Sequence, residues 1–169
     1  ALAELGVPPA PILPGARGAP AWPAGIVGSM THCDGYRGAA VASEKHAASI
    51  GIDAEPHGPL PEGVLEAIAR PEEHCWLAEL AVSAPAVHWD RLLFSMKESV
   101  YKAWYPLTGS WLDFGGASIT VEPAVGVFTA VLQVPGPVLN GHELTTFTGR
   151  FSTSDTLVLT AIAVPAGAD

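Results

Sequence analysis

The chain has 169 residues, of which 49% are hydrophobic and 15% charged, a composition that excludes a disordered segment and suffices for one domain or two small lobes. Its net charge of −9 argues against nucleic acid as a partner, because phosphate binding demands a basic face. No apolar run is long enough for a membrane span, and two distant cysteines fit a reducing cytoplasm better than a disulfide framework.

The N-terminal third is predicted to be a loop followed by strands. Residues 1–5 have the pattern of a helix end that Gly6 caps, and the proline- and glycine-rich residues 7–25 predict a surface loop. Alternation of apolar and polar residues then predicts three strands, at 26–32, 36–43 and 49–55.

Three helices and four strands are predicted after this point. Prolines placed in the first turn favour helices at 61–69 and 71–80. The longest helix is predicted to begin with Asp90 as its N-cap and to end at Pro106. The strands are predicted at 117–121, 127–134, 144–151 and 156–163. This order of elements predicts an α+β fold.

Carboxylates stand in two otherwise apolar elements. Asp53 and Glu55 are two residues apart in a predicted strand and therefore project from the same face. Glu98 and Lys102 are four residues apart in the longest predicted helix and share a face there. Three converging carboxylates suit a hard cation such as Mg²⁺. The simpler alternative is that the two strand carboxylates only end a strand and that Glu98 forms an ion pair with Lys102.

Three sequence blocks carry a family resemblance. Gly-Ile-Asp-Ala-Glu at 51–55 is followed by Ser-Met-Lys-Glu-Ser-x-x-Lys-Ala at 95–103, and Gly-Ser-Met-Thr-His at 28–32 precedes both. In this order the blocks resemble the 4′-phosphopantetheinyl transferases, and within them the surfactin-synthetase-activating class and its enterobactin-synthetase-component-D-like branch. The resemblance runs from about residue 15 to residue 115.

The resemblance implies a particular architecture. Two similar lobes, related by a pseudo-twofold axis, are expected at residues 1–85 and 86–169, with the active site between them. Members of the family usually carry a longer segment before the point that corresponds to residue 1. The N-terminal lobe is therefore expected to be incomplete in this chain, without some basic residues that contribute to coenzyme A binding.

The resemblance also implies a metal site. Asp53, Glu55 and Glu98 correspond to the residues that bind Mg²⁺ in the family. Glu98 is the candidate general base for the acceptor serine. Because a bound cation lowers the pKa of its ligand, a metal-bound water or Lys102 is the alternative base.

A second set of residues corresponds to family contacts with coenzyme A. Thr31 and His32 match the pair that contacts a phosphate, and Lys102 lies one turn beyond Glu98, within reach of a phosphate near the metal. Arg17, in a loop that begins at Gly15, corresponds to a basic residue near the nucleotide. Lys97 points elsewhere on the helix and is expected to be structural. Four aromatic residues could line the pantetheine channel or belong to the core, namely Phe94, Trp104, Trp111 and Phe114.

The implied activity is Mg²⁺-dependent transfer of phosphopantetheine from coenzyme A to a serine of acyl or peptidyl carrier domains, by a monomeric cytoplasmic enzyme. Two alternatives remain open at this stage. The same acidic triad could serve a Mg²⁺-dependent phosphohydrolase, which needs no carrier-docking surface. A module that binds coenzyme A or carrier domains without turnover is the other alternative.

Overall fold

The predicted α+β class is confirmed by a computed structural model, which describes residues 1–167. The last two residues of the expected C-terminal lobe, 168 and 169, lie outside this range. The helices are α1 (Val64–Ile68), α2 (Pro71–Ser83) and α3 (Trp89–Thr108). The strands are β1 (Leu13–Pro14), β2 (Pro20–Ala21), β3 (Ile26–Cys33), β4 (Tyr36–Ser43), β5 (Ala47–Pro56), β6 (Ala117–Glu122), β7 (Val127–Leu132), β8 (Val138–Leu139), β9 (His142–Glu143), β10 (Thr146–Thr153) and β11 (Leu157–Pro165).

The main sheet has five antiparallel strands in the order β5-β11-β10-β7-β6. Helix α3 lies across one face of this sheet, mainly against β5 and β11. Its apolar stripe includes the fully buried Met96 and Val100, which belong to one core with Phe128 and Ile162 of the sheet. Burial of this stripe is what holds the helix over β5.

A hairpin of β3 and β4 meets the free edge of β5 through side chains. The Ser29 hydroxyl accepts the Ile52 N–H at 3.1 Å, and the Thr31 hydroxyl accepts the Ala54 N–H at 3.0 Å. These bonds satisfy backbone N–H groups on the edge of β5 that has no neighbouring strand in the main sheet. They also bring the Thr-His end of β3 beside Asp53.

Helix α3 and strand β5 touch where the strand carries glycine. A Cβ atom on Gly51 would collide with the Ser99 carbonyl oxygen, so a larger residue would push the helix away. Nearby, the Ser49 hydroxyl donates to the Ala103 carbonyl at 2.7 Å. This close approach places the carboxylates of β5 next to the polar face of α3.

Both predicted ends of α3 are wrong. The N-cap is His88, and the Asp90 carboxylate accepts the Leu60 N–H at 2.8 Å instead. The helix continues through Pro106 and stops at Gly109, whose φ of 64° suits a C-cap. Proline in the last turn removes a single intrahelical donor, and packing of the helix on the sheet outweighs that loss. Helix α1 is also shorter than predicted.

The expected division into two lobes is not tested by the fold alone. Strand β5, from the expected N-terminal lobe, pairs along its length with β11, from the expected C-terminal lobe. The main sheet therefore contains strands from both sides of the predicted lobe boundary at residue 85. The boundary and the pseudo-twofold axis stay predictions. Within residues 1–167, none of the helices has the length and apolarity of a membrane-spanning segment.

Lys97 lies in a buried ionic cluster behind the polar face of α3. Its ammonium is 2.8 Å from the Glu73 carboxylate, and the two side chains are 2% and 0% exposed. The ammonium also donates to the Phe114 carbonyl, while the carboxylate accepts the Ile119 N–H. Burial lowers the pKa of Lys97, and the charge of Glu73 opposes that shift. These contacts tie α2, α3 and β6 together.

Candidate active site

The site centres on Asp53, which is only 5% exposed. Its Oδ1 accepts a hydrogen bond from Lys102 at 2.8 Å and one from the Thr31 hydroxyl at 3.3 Å. Its Oδ2 is buried and has no hydrogen-bond partner within residues 1–167. An unsatisfied carboxylate oxygen is costly in a protein interior, and a bound cation would remove that cost.

Glu98 and Glu55 complete the acidic cluster that the sequence predicts. Burial, and then the charge of Asp53, raises the pKa of each of these carboxyl groups above its ordinary value. For Glu98, the charge of Lys102 opposes the shift and that of Glu55 adds to it. The three carboxyl groups are thus close enough to repel one another, which is the arrangement that a divalent cation stabilises.

Each strand carboxylate is held by one basic residue. Lys102 binds Asp53, and the Arg91 guanidinium lies 3.0 Å from the Glu55 carboxylate. Within the part of the chain that the structure describes, no salt bridge joins Glu98 to Lys102, so the simple i,i+4 pair is not formed. The lysine instead reaches across to β5, where the more buried carboxylate offers stronger attraction.

The described residues contain no group of three or more His, Cys, Asp and Glu side chains already arranged around a metal position. The two strand carboxylates turn toward basic side chains instead, because a buried charge needs a partner of opposite sign. The chemistry of the donor set still fits Mg²⁺, since Asp53 keeps a free oxygen that the fold does not use.

A cleft of about 680 Å³ opens beside these residues. Its lining includes Arg17, His32, Glu98, Tyr101, Lys102 and Tyr105. Gly15 and Thr31 do not line it. The Gly15 N–H bonds to the Ala19 carbonyl at 2.7 Å and so closes the loop, while Thr31 is buried against Asp53. A contact of these two residues with coenzyme A stays a prediction.

Arg17 has an uncommon backbone conformation in that loop. Its φ of 53° lies in the left-handed region, which costs a non-glycine residue roughly 1 kcal/mol or more. The Tyr105 hydroxyl, on α3, donates to the Ala16 carbonyl at 3.4 Å and links the loop to the helix. The result is a basic side chain at the wall of the cleft, on the side of α3 that carries Lys102.

A second, narrow pocket of about 90 Å³ shares Glu98 and Tyr101 with the cleft as lining residues. Tyr101, Trp111 and Phe114 line it together with Glu98, and Trp111 is 63% exposed. Trp104, in contrast, is 5% exposed and donates to the Ser110 carbonyl. Among the aromatic candidates, Trp104 is therefore a core residue.

Sequence reasoning missed Arg91, Tyr101 and Tyr105 as residues of the site. Arg91 lies seven residues before Glu98, nearly two helical turns, and hence on the same face of α3. Tyr101 and Tyr105 follow on that side, with ring centroids 5.9 Å apart. The seven-residue spacing between Arg91 and Glu98 was the sequence signal that could have placed Arg91 at the site.

Comparison with known protein families agrees with this geometry. Residues 49–147 match the 4′-phosphopantetheinyl transferase superfamily, and residues 1–42 match the 4′-phosphopantetheinyl transferase N-terminal domain. The first match alone covers more than half of the chain. The protein is thus a transferase, and it belongs to the 4′-phosphopantetheinyl transferase superfamily. The family resemblance carried by the three sequence blocks is confirmed.

Three known 4′-phosphopantetheinyl transferases are similar to almost the whole chain. Svp of Streptomyces mobaraensis is 63% identical over 168 residues, which are 99% of this chain and 68% of that protein. PptT of Mycobacterium tuberculosis is 52% identical over 97% of this chain and 73% of its own length. Npt of Nocardia iowensis is 53% identical over 96% of this chain and 76% of its own length.

Proposed function

We propose that this transferase moves 4′-phosphopantetheine from coenzyme A to a serine of acyl or peptidyl carrier domains, with Mg²⁺ held by Asp53, Glu55 and Glu98. The observation that carries the metal assignment is the buried, unpartnered Oδ2 of Asp53 beside two carboxyl groups of raised pKa. When bound, Mg²⁺ would neutralise charge on the diphosphate and on the departing 3′,5′-ADP.

The residues around the cluster bind and orient the donor. Lys102 can exchange its bond with Asp53 for one with a phosphate oxygen, because it lies on the cleft wall. His32 and Arg17 offer further donors on the same cleft. The negative charge of the protein makes these few basic groups important, since coenzyme A is itself a polyanion.

Glu98 is the proposed acceptor of the proton of the carrier serine. It lies at the junction of the large cleft and the narrow aromatic pocket. Because a bound cation would lower the pKa of its ligand, a metal-bound water or Lys102 is the alternative base. The narrow pocket, with Trp111 and Phe114, is the proposed position of the pantetheine arm.

The function is tested by the intact mass of a carrier domain. Incubation of carrier, coenzyme A and Mg²⁺ with the protein should add one phosphopantetheine unit to the carrier, and chelation of Mg²⁺ should prevent the addition. Loss of coenzyme A without modification of the carrier would favour the phosphohydrolase. Binding of coenzyme A without either change would favour the non-catalytic module. The monomeric state and cytoplasmic location stay predictions.

A comparison of two ligands should separate the roles of the basic residues in the cleft. If His32 or Arg17 contacts the 3′-phosphate, its replacement by alanine should weaken coenzyme A binding by about tenfold, the loss of one charge-assisted hydrogen bond. Binding of dephospho-coenzyme A should then change little. Isothermal titration calorimetry measures both affinities.

The matched control is Lys45→Ala, which removes an exposed basic residue between β4 and β5 that does not line this cleft. Equal losses for the two ligands would place the altered residue at the diphosphate. A variant that binds both ligands as the wild type does would contradict the assignment of that residue to the site.

A further inference from the structure

Arg91, in the first turn of α3, makes contacts that the proposed transfer chemistry does not use. Its Nη1 donates to Glu55 at 3.0 Å, its Nε to the Gly58 carbonyl at 3.2 Å and its Nη2 to the Pro59 carbonyl at 2.6 Å. The side chains of Arg91 and Glu55 are only 17% and 20% exposed. All three nitrogens of the guanidinium are therefore engaged, in a partly buried setting.

We propose that Arg91 is a positioning residue, which holds the Glu55 carboxylate in one orientation and balances part of its charge until the metal binds. The inference rests on the proposed metal site. It goes beyond that site because it concerns a residue that lines neither the cleft nor the narrow pocket.

The placement of Arg91 on the helix supports this role. Arg91, Glu98 and Lys102 lie at intervals of seven and four residues, so all three project from the face of α3 that meets β5. Lys102 binds Asp53 at one end of this face, and Arg91 binds Glu55 at the other. The two strand carboxylates are thus each tied to the helix that carries Glu98.

The loop after β5 makes the guanidinium rigid. Two of its nitrogens bind carbonyl groups of that loop, and the neighbouring Asp90 accepts the Leu60 N–H at 2.8 Å. A planar guanidinium group that is held by three hydrogen bonds can orient a carboxylate, whereas lysine offers a single point charge on a flexible side chain. Lysine at position 91 would keep the charge but not the orientation.

Two opposite effects are expected when the guanidinium is removed. In Arg91→Gln, Glu55 loses a competing positive charge, so the cluster becomes more negative and binds a cation more tightly. The same carboxylate also becomes free to rotate, so the geometry needed for transfer is populated less often. A merely structural role would not separate metal affinity from turnover in this way.

The experiment uses Mn²⁺ alone as the metal probe, with free Mn²⁺ measured by electron paramagnetic resonance, and carrier modification as the second readout. Arg91→Gln should bind Mn²⁺ several-fold more tightly and lower kcat by roughly tenfold to a hundredfold. Arg91→Lys should keep the Mn²⁺ affinity of the wild type and lower kcat less. Arg70→Gln is the matched control, because Arg70 also binds a glutamate and a carbonyl, but away from the cleft.

A double-mutant cycle with Glu55→Gln shows whether Arg91 acts through Glu55. If it does, Arg91→Gln should lower kcat no further when Glu55 is already changed. Equal losses in both backgrounds would overturn the proposal, as would an unchanged or weaker Mn²⁺ affinity in Arg91→Gln. The wild type separates this failure from that of the proposed function: if it binds no Mn²⁺ and needs no Mg²⁺ for transfer, the metal assignment itself is wrong.

Discussion

Replacement of Asp53 by asparagine should lower Mg²⁺-dependent transfer by at least about a thousandfold, because it removes both a metal ligand and the charge that holds Lys102. Asparagine has nearly the same shape and can still accept the hydrogen bond from Thr31. The fold should therefore persist. Transfer is measured by the intact mass of the carrier at limiting Mg²⁺.

The same variant should unfold with a free energy within about 1 kcal/mol of the wild type, because loss of the Lys102 pair is offset by relief of repulsion on Glu98 and Glu55. Asp34→Asn is the control, since Asp34 is an exposed residue at the nearby hairpin turn. If Asp53→Asn transfers at the wild-type rate at limiting Mg²⁺, the assignment of Asp53 as a ligand fails.

Replacement of Lys97 by methionine should have the largest effect on stability. It leaves the Glu73 carboxylate, which is 0% exposed, without its ammonium partner. Removing one partner of a buried ion pair lowers the free energy of unfolding by about 3–5 kcal/mol, which is a large part of the stability of a small domain. Urea denaturation followed by circular dichroism measures this loss.

The double variant Lys97→Met with Glu73→Gln should recover part of the lost stability, because no uncompensated charge then remains buried. Lys45→Met serves as the control for loss of a lysine, since Lys45 is exposed. If Lys97→Met proved as stable as this control, the ion pair would contribute nothing to folding, and the buried cluster would not be what ties α2, α3 and β6 together.

Local patterns in the sequence were enough to predict the class of fold and most of its elements. The strands at β3, β4 and β5 and those at β6, β7, β10 and β11 lie within a few residues of their predicted positions. Period-two alternation is a property of neighbouring residues, so it is visible without any knowledge of the fold. The same holds for the face shared by Asp53 and Glu55.

Helix ends were harder to predict because tertiary contacts compete with local signals. Asp90 has the character of an N-cap, yet its carboxylate bonds to Leu60, thirty residues earlier in the chain. Pro106 has the character of a stop signal, yet α3 continues past it to Gly109. In both cases a contact or a packed surface from elsewhere in the chain outweighs a preference of about 1–3 kcal/mol.

The sequence by itself determined which residue types carry the chemistry. It also determined that the protein belongs to the 4′-phosphopantetheinyl transferases. Only the tertiary structure decided how the charges pair: Lys102 with Asp53, Arg91 with Glu55, and Lys97 with Glu73. The reason is that the strength of an ion pair depends on distance and burial. Both quantities are set when α3 docks on β5 and on α2, between residues that lie twenty-four to forty-nine positions apart.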